Sequence, residues 1–298
     1  MNRMRPVDAD NLDKITIDHL LPEVCEVRIG MVNYINTAPI YETWKKYPLQ
    51  PGWHVLEAPP STLNKLLAQG ELDLGFVSCY EYARNPEKYE ILPDLSISAS
   101  GPVGSVFLFS RKKVGTARFL KVLLSSQSET SVALVKIILE EFYNQRPDYF
   151  VGVIDDARQD GCDGVLAIGD DALRLKKAGI YDYCLDLGEV WTQQTGLPFV
   201  FAVCAVRREF VEKEAELLEK VYHKLLRCRE EGCAELMGIC KIAAPRIPMN
   251  IHDCYHYLKG IEYDLGQKKV DALIEFFTHL IQRQEVEANA LPLKFVKI

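Results

Sequence analysis

No stretch of the chain reaches roughly eighteen consecutive apolar residues, so no membrane-spanning helix is expected. Low-complexity tracts and repeats with a period of roughly 20 to 50 residues are also missing, which argues against solenoids and propellers. The nine cysteines include no C-x-x-C pair, and their odd number and wide spacing predict reduced thiols, as in a cytoplasmic protein, rather than a disulfide framework. None of the six histidines stands at metal-ligand spacing from a cysteine. His252 and His256 are four apart and are expected as a solvated or packed pair. No metal and no organic cofactor is indicated. No G-x-S-x-G element or histidine partner supports a nucleophilic serine. The net charge is -7, from 35 basic and 42 acidic residues. The basic residues are scattered, which argues against a nucleic-acid surface. Residues 1–25 carry Arg3, Arg5, Asp8, Asp10, Asp13 and Asp18, and lack the long apolar core and small-residue cleavage site of a secretory signal. They are expected to form a surface extension.

What is present is an α/β rhythm in a chain of 298 residues, 48% hydrophobic, enough for two medium lobes. Val27 to Val32 reads as a strand, and Asn36-Thr37-Ala38-Pro39 as the polar start of a helix. A second strand, Trp53–Ala58, precedes a helix capped by Ser61 and stopped at Gly70. Leu72–Val77, Leu95–Ser100 and Ser105–Ser110 are further strands, the last two joined by the turn Gly101-Pro102-Val103-Gly104. Parallel strands with right-handed crossovers follow from the early β-α-β order. After Arg111-Lys112-Lys113 a second set begins. It contains the short strand Val122–Leu124 and a helix opened by Ser126 with Glu129 in capping-box spacing. The strands Tyr149–Val153 and Gly164–Gly169 come next, then a helix capped by Asp170 or Asp171. A last unit, Tyr183–Leu187, leads into a short helix closed by Gly196. The long apolar strand Leu197–Val206 precedes a mainly helical third.

The expected organisation is a surface extension over 1–25, a first lobe formed by 26–109 plus 200–298, and a second lobe over 110–199. Two crossover segments, near 110 and near 200, connect them, with a ligand cleft between the lobes.

Several corners can carry chemistry. Asn36 offers a donor and an acceptor at a strand end, where open α/β sheets bind ligands, and it also suits a plain helix cap. Ser105 follows a glycine-rich turn, a common place for turn chemistry alone. The hydroxyls of Ser126–Ser131 at a helix start suit a small anion site, although capping claims most such sequences. Glu129 is expected to face solvent. Asp170 and Asp171 favour capping over acid–base work. Thr195 and Gly196 stand where the chain re-enters the first lobe and can simply shape that crossing. Trp191 is expected in the core.

The ordered set Arg28-Ile29-Gly30…Tyr34-Ile35-Asn36-Thr37-Ala38-Pro39-Ile40, Gly70-Glu71-Leu72-Asp73-Leu74-Gly75, Gly101-Pro102-Val103-Gly104-Ser105, Ser128-Glu129-Thr130-Ser131-Val132, Ile168-Gly169-Asp170-Asp171-Ala172-Leu173 and Trp191 to Ala202 resembles the chorismate dehydratase family of the futalosine route to menaquinone. The resemblance runs from about Val27 to the C-terminus, including Asp264-Leu265-Gly266, and leaves 1–25 without a counterpart. It implies a two-lobed fold similar to type II periplasmic binding proteins, used as a cytoplasmic lyase. The implied reaction removes water from chorismate, a small dicarboxylate, giving 3-[(1-carboxyvinyl)oxy]benzoate. By the same resemblance Asn36 and Ser105 match catalytic positions. Thr130 and Ser131 match a carboxylate-binding helix start, and Thr195 and Gly196 the second-crossing motif. Asp170 is taken as a further substrate-binding residue, with proton abstraction as its alternative role. A neighbouring enzyme of that route, 1,4-dihydroxy-6-naphthoate synthase, shares the fold. Its first loop is rich in Cys, Pro, Asn and Asp, whereas this chain has Asn33-Tyr34-Ile35-Asn36. A small-anion-binding module without catalysis is the alternative from another class.

Overall fold

The computed structural model describes residues 27–116, 118–119, 121–152, 154, 161–247 and 249–298. The extension over 1–25, Cys25 and the expected strand end at Val153 lie outside the described residues.

The chain builds two five-stranded mixed sheets of the same design. Strand β1 (Val27–Met31) is flanked in parallel by β2 (Trp53–Glu57) and β3 (Leu74–Ser78). Helices α1 (Ala38–Trp44) and α2 (Pro60–Gln69) make the two crossovers. The short helix α3 (Cys79–Arg84) follows β3, with Ser78 accepting from the Glu81 amide at its start. Strand β4 (Tyr89–Ala99) closes the edge of the first sheet.

The chain then crosses to the second sheet. There β5 (Val106–Ser110) runs antiparallel beside later strands, and β6 (Lys121–Ser125) leads into α4 (Glu129–Ile137). A π-helical turn, Ile138–Phe142, extends α4. Strands β7 (Asp148–Gly152) and β8 (Gly164–Ile168) flank β6 in parallel. Helix α5 (Gly169–Ala178), strand β9 (Tyr183–Asp186) and helix α6 (Leu187–Thr195) complete this sheet. Strand β10 (Phe199–Arg207) returns and inserts antiparallel between β3 and β4. The spatial orders are β2-β1-β3-β10-β4 and β7-β6-β8-β5-β9, so each sheet holds one strand newly arrived from the other.

Helices α7 (Arg208–Lys213), α8 (Ala215–Ala234), α9 (Leu236–Ala243), α10 (Ile251–Lys259) and α11 (Gln267–Gln282) form the helical third.

Several local expectations shift. Strand β5 pairs with β8 and β9, so the first crossing runs through 100–105 rather than near 110. Helix α2 starts one residue before Ser61, at Pro60, and has no side-chain cap; a proline's fixed φ suits the first helical turn. Ser128, not Ser126, caps α4, accepting from the Ser131 amide. Neither Asp170 nor Asp171 caps α5. Both sit in its first turn, where a carboxylate meets the positive helix end. Gly70 and Gly196 stop α2 and α6 in left-handed conformations, φ +81° and +73°.

Packing locks this architecture. Gly30 and Gly75 face each other across β1 and β3, and a Cβ on Gly75 would lie 2.8 Å from the Gly30 carbonyl oxygen. One hydrophobic cluster runs through both lobes. Trp191, fully buried, stacks edge-on against Phe199 and Phe276, and its indole donates to the Pro198 carbonyl at 3.1 Å. Charge pairs tie the same boundary: Arg283 reaches Glu140 at 3.0 Å and Glu141 at 3.1 Å, and Arg84 reaches Glu129 at 2.8 Å. Glu129 is accordingly solvent-exposed. None of the eight cysteines among the described residues forms a disulfide.

Candidate active site

The carboxyl ends of the parallel strands of both sheets point at one cavity, with an empty volume of about 690 Å³ including its opening. The first lobe contributes Val32, Tyr34, Asn36, Thr37 and Pro60, then Phe76–Ser78 from β3 and Phe201 and Ala202 from β10. The crossing and second lobe contribute Val103, Ser105, Val106, Ser128, Ser131, Ile168 and Gly169. No charged side chain is among these lining residues.

Asn36 lies in a short 3-10 turn, Ile35–Thr37, between β1 and α1. Its Oδ1 is buried and has no hydrogen-bond partner among the described residues. An amide oxygen removed from water without a donor costs about 1–3 kcal/mol, so it marks a place where a ligand group completes the bonding. The Asn36 carbonyl accepts from the Tyr263 hydroxyl at 2.9 Å, and Thr37 anchors the turn by donating to the Val32 carbonyl at 2.6 Å.

Ser105 sits at the head of β5 and is 2% exposed. Its carbonyl accepts from the Gly169 amide at 2.8 Å, and its Oγ accepts from the Tyr257 hydroxyl at 2.9 Å. The preceding turn is held by α6. The buried Asp186 carboxylate caps that helix through the Gly188 and Glu189 amides, and also accepts from Val103 at 3.0 Å and Gly104 at 2.7 Å. Thr192 Oγ1 takes the Gly101 amide at 3.1 Å. Burial raises the Asp186 pKa, and these amide bonds pull it back.

Ser131 stands in the first turn of α4, 2% exposed, with its Oγ accepting from Ser128 at 3.1 Å. Ser105 and Ser131 therefore each accept from a neighbouring hydroxyl, which leaves their own hydrogens for an acceptor in the cavity. The α4 start adds a positive helix end.

The other expected residues stand behind the wall. Thr130 Oγ1 faces the first lobe, where it accepts from the Tyr80 amide at 3.1 Å and lies 3.5 Å from Cys79 Sγ. Asp170 accepts from the Ile35 amide, and burial raises its pKa against the pull of Arg174 and that amide. Its Oδ1 is buried and unpartnered among the described residues. Thr195 Oγ1 donates to the Trp191 carbonyl and accepts from the Leu197 amide, which shapes the second crossing together with the exposed Gly196. The structure thus brings Asn36, Ser105 and Ser131 to one cavity, while Thr130, Asp170, Thr195 and Gly196 do not line it.

Four contributors had no place among the expected site residues. Tyr34 reaches across the cavity to donate to Gln127 Oε1 at 3.1 Å, and its ring covers Gly169. Burial, with Asp170 and Asp171 nearby, pushes its pKa up to about 12. Tyr257 and Tyr263 come from the far end of the chain and carry no local signal. Asp186 did carry one, since Glu189 stands three residues on in capping-box spacing. His252 and His256 are exposed, with their Nε2 atoms 3.2 Å apart and their rings packed edge-on. Among the described residues no three His, Cys, Asp or Glu side chains converge as a metal site.

The fold is similar to that of periplasmic binding proteins. Protein AF1704 of Archaeoglobus fulgidus superposes with a TM-score of 0.68 at 17% identity, covering 87% of this chain and 98% of that one. The periplasmic aliphatic sulphonate binding protein SsuA of Escherichia coli gives 0.63 at 15%, covering 88% and 89%. In sequence, the chain is 33% identical over 260 residues to the chorismate dehydratase of Thermus thermophilus, covering 80% of this chain and 89% of that protein. It is 34% identical over 253 residues to the chorismate dehydratase of Campylobacter jejuni, covering 83% and 94%. The family model described as menaquinone biosynthesis matches residues 27–282, and the chain belongs to that family.

Proposed function

We propose that this protein is a chorismate dehydratase, a hydro-lyase that converts chorismate to 3-[(1-carboxyvinyl)oxy]benzoate and water in menaquinone biosynthesis. The observation that carries the reading is the likeness to two chorismate dehydratases over at least 80% of the chain. The chemistry of the cavity agrees with it. Loss of one ring proton and the ring hydroxyl makes the ring aromatic, so the step is strongly downhill and redox-neutral. The protein has mainly to hold two carboxylates, orient the departing hydroxyl and exclude water.

In this reading the Ser131 hydroxyl and the α4 start bind one carboxylate. Ser105 donates to a second substrate oxygen. Asn36 uses its unpaired Oδ1 to accept from the ring hydroxyl, which fixes the bond to be broken. The lining offers no charged base, so the enolpyruvyl carboxylate of the substrate takes the ring proton itself and passes it to the departing hydroxyl, which leaves as water. Thr130, Asp170, Thr195 and Gly196 act indirectly: Thr130 and Asp170 tie the lobes around the ligand, and Thr195 and Gly196 set the second crossing. The cytoplasmic placement expected from the sequence is part of the same proposal.

Incubation of the purified protein with chorismate, followed by mass spectrometry, tests the reading. Loss of one water with gain of an aromatic spectrum is expected. Unchanged chorismate points instead to a binding module or to the neighbouring naphthoate synthase activity.

A further inference from the structure

The helical third of the chain supplies no residue to the chemistry above, yet two of its tyrosines reach two of the three residues on which that chemistry depends. Tyr257, on α10, donates to Ser105 Oγ across 152 positions of sequence. Tyr263, beyond the same helix, donates to the Asn36 carbonyl across 227 positions. The Tyr257 ring also packs on the turn that carries Ser105: a Cβ on Gly104 would lie 3.2 Å from its Cδ2. Gly104 has φ +76°, a conformation that favours glycine, and its amide is held by Asp186. Ring and carboxylate grip one turn from two sides.

The direction of the Tyr257–Ser105 bond has a chemical consequence. A phenol is a stronger donor and a weaker acceptor than an alkanol, so the pair settles with Tyr257 donating. Burial raises the Tyr257 pKa, which keeps that hydrogen in place through the neutral range. One lone pair of Ser105 is then occupied, and its own hydrogen has to find an acceptor elsewhere. Ser128 and Ser131 repeat the arrangement on the facing wall.

We propose that Tyr257 is a positioning residue: by donating to Ser105 Oγ it commits the serine hydrogen to an oxygen of the bound ligand, so that Ser105 serves as a donor. The identity of that ligand rests on the chorismate reading, whereas the orientation of the hydroxyl pair does not.

Tyr257→Phe keeps the ring on Gly104 and removes only the hydroxyl. Steady-state kinetics with chorismate on the wild type, Y257F, S105A and the double variant should show about a tenfold loss of kcat/KM in Y257F. In the S105A background the same change should cost nothing further, because its only route to the substrate has gone. Crystal structures supply a readout independent of turnover: Ser105 should hold one χ1 rotamer in the wild type and more than one in Y257F. If the wild type leaves chorismate intact, the substrate reading fails and the rotamer still decides the inference. Wild-type kcat/KM in Y257F, losses that multiply in the double variant, or a single unchanged Ser105 rotamer overturns it.

Discussion

The Thr130 hydroxyl of the second lobe lies 3.1 Å from the Tyr80 amide of the first, so one lobe satisfies the opening turn of a helix in the other. Its neighbour Ser131 faces the cavity. Adjacent residues at one helix start thus divide two tasks, clamping and binding, and substitutions should separate them.

Thr130→Val leaves the Tyr80 amide without its acceptor and is expected to lower stability by about 1–3 kcal/mol in urea denaturation. Ser131→Ala removes a donor to a carboxylate and should cut kcat/KM by about ten- to a hundredfold, with a stability change under about 1 kcal/mol. Equal losses of stability in both variants would contradict the division.

Asn36→Ala removes the unpaired amide oxygen from the cavity wall. Turnover of chorismate should fall about a hundredfold, an effect on the order of one preorganised active-site group. The folded protein should be no less stable, because that oxygen has no partner to lose among the described residues. Full turnover in this variant rules out the role given to Asn36.

Asp170 gives a pH signature. Burial raises its pKa in the folded state, with Arg174, the Ile35 amide and Arg246 opposing and Asp171 adding to the rise. The folded protein therefore keeps the proton at a pH where the unfolded chain, near its ordinary value of about 3.9, has released it. The stability linked to this proton is full below that unfolded value and is lost as pH rises through the folded one. Asp170→Asn, neutral throughout, should melt above the wild type near pH 7, and the gap should close on acidification toward about pH 4. A gap that widens on acidification reverses the sign of this argument.

Gly232 on α8 meets α1 so closely that a Cβ there would fall 1.9 Å from the Pro39 carbonyl oxygen. Backbone cannot yield as a flexible side chain does. Gly232→Ala should destabilise by about 3 kcal/mol or more, read by denaturation, and should disturb the Asn36 turn that leads into α1.

The alternation of Val27 to Val32, the apolar run before Arg207 and the glycine stops at 70 and 196 made strands and helix ends legible, because local periodicity and φ preference encode them. Strand β5 was assigned to the wrong side of the first crossing, since a strand's sheet membership depends on partners far along the chain. Asn36, Ser105 and Ser131 were visible as polar corners after strands or turns. Tyr257 and Tyr263 were not: each works through one hydroxyl brought in by helix packing, and nothing in the residues around them signals that contact. Thr130 looked equivalent to Ser131 by sequence, and only the direction of each side chain from the α4 start separates them.

The account turns on a substrate that supplies its own base inside a cavity of neutral donors. A chorismate analogue in which the enolpyruvyl carboxylate is converted to an amide, with ring carboxylate and ring hydroxyl intact, tests this directly by its rate of water loss on the wild-type protein. The account predicts that the analogue occupies the cavity, competing with chorismate, and is not dehydrated. Dehydration of the amide at a rate comparable to chorismate would contradict it and point to a base supplied by the protein.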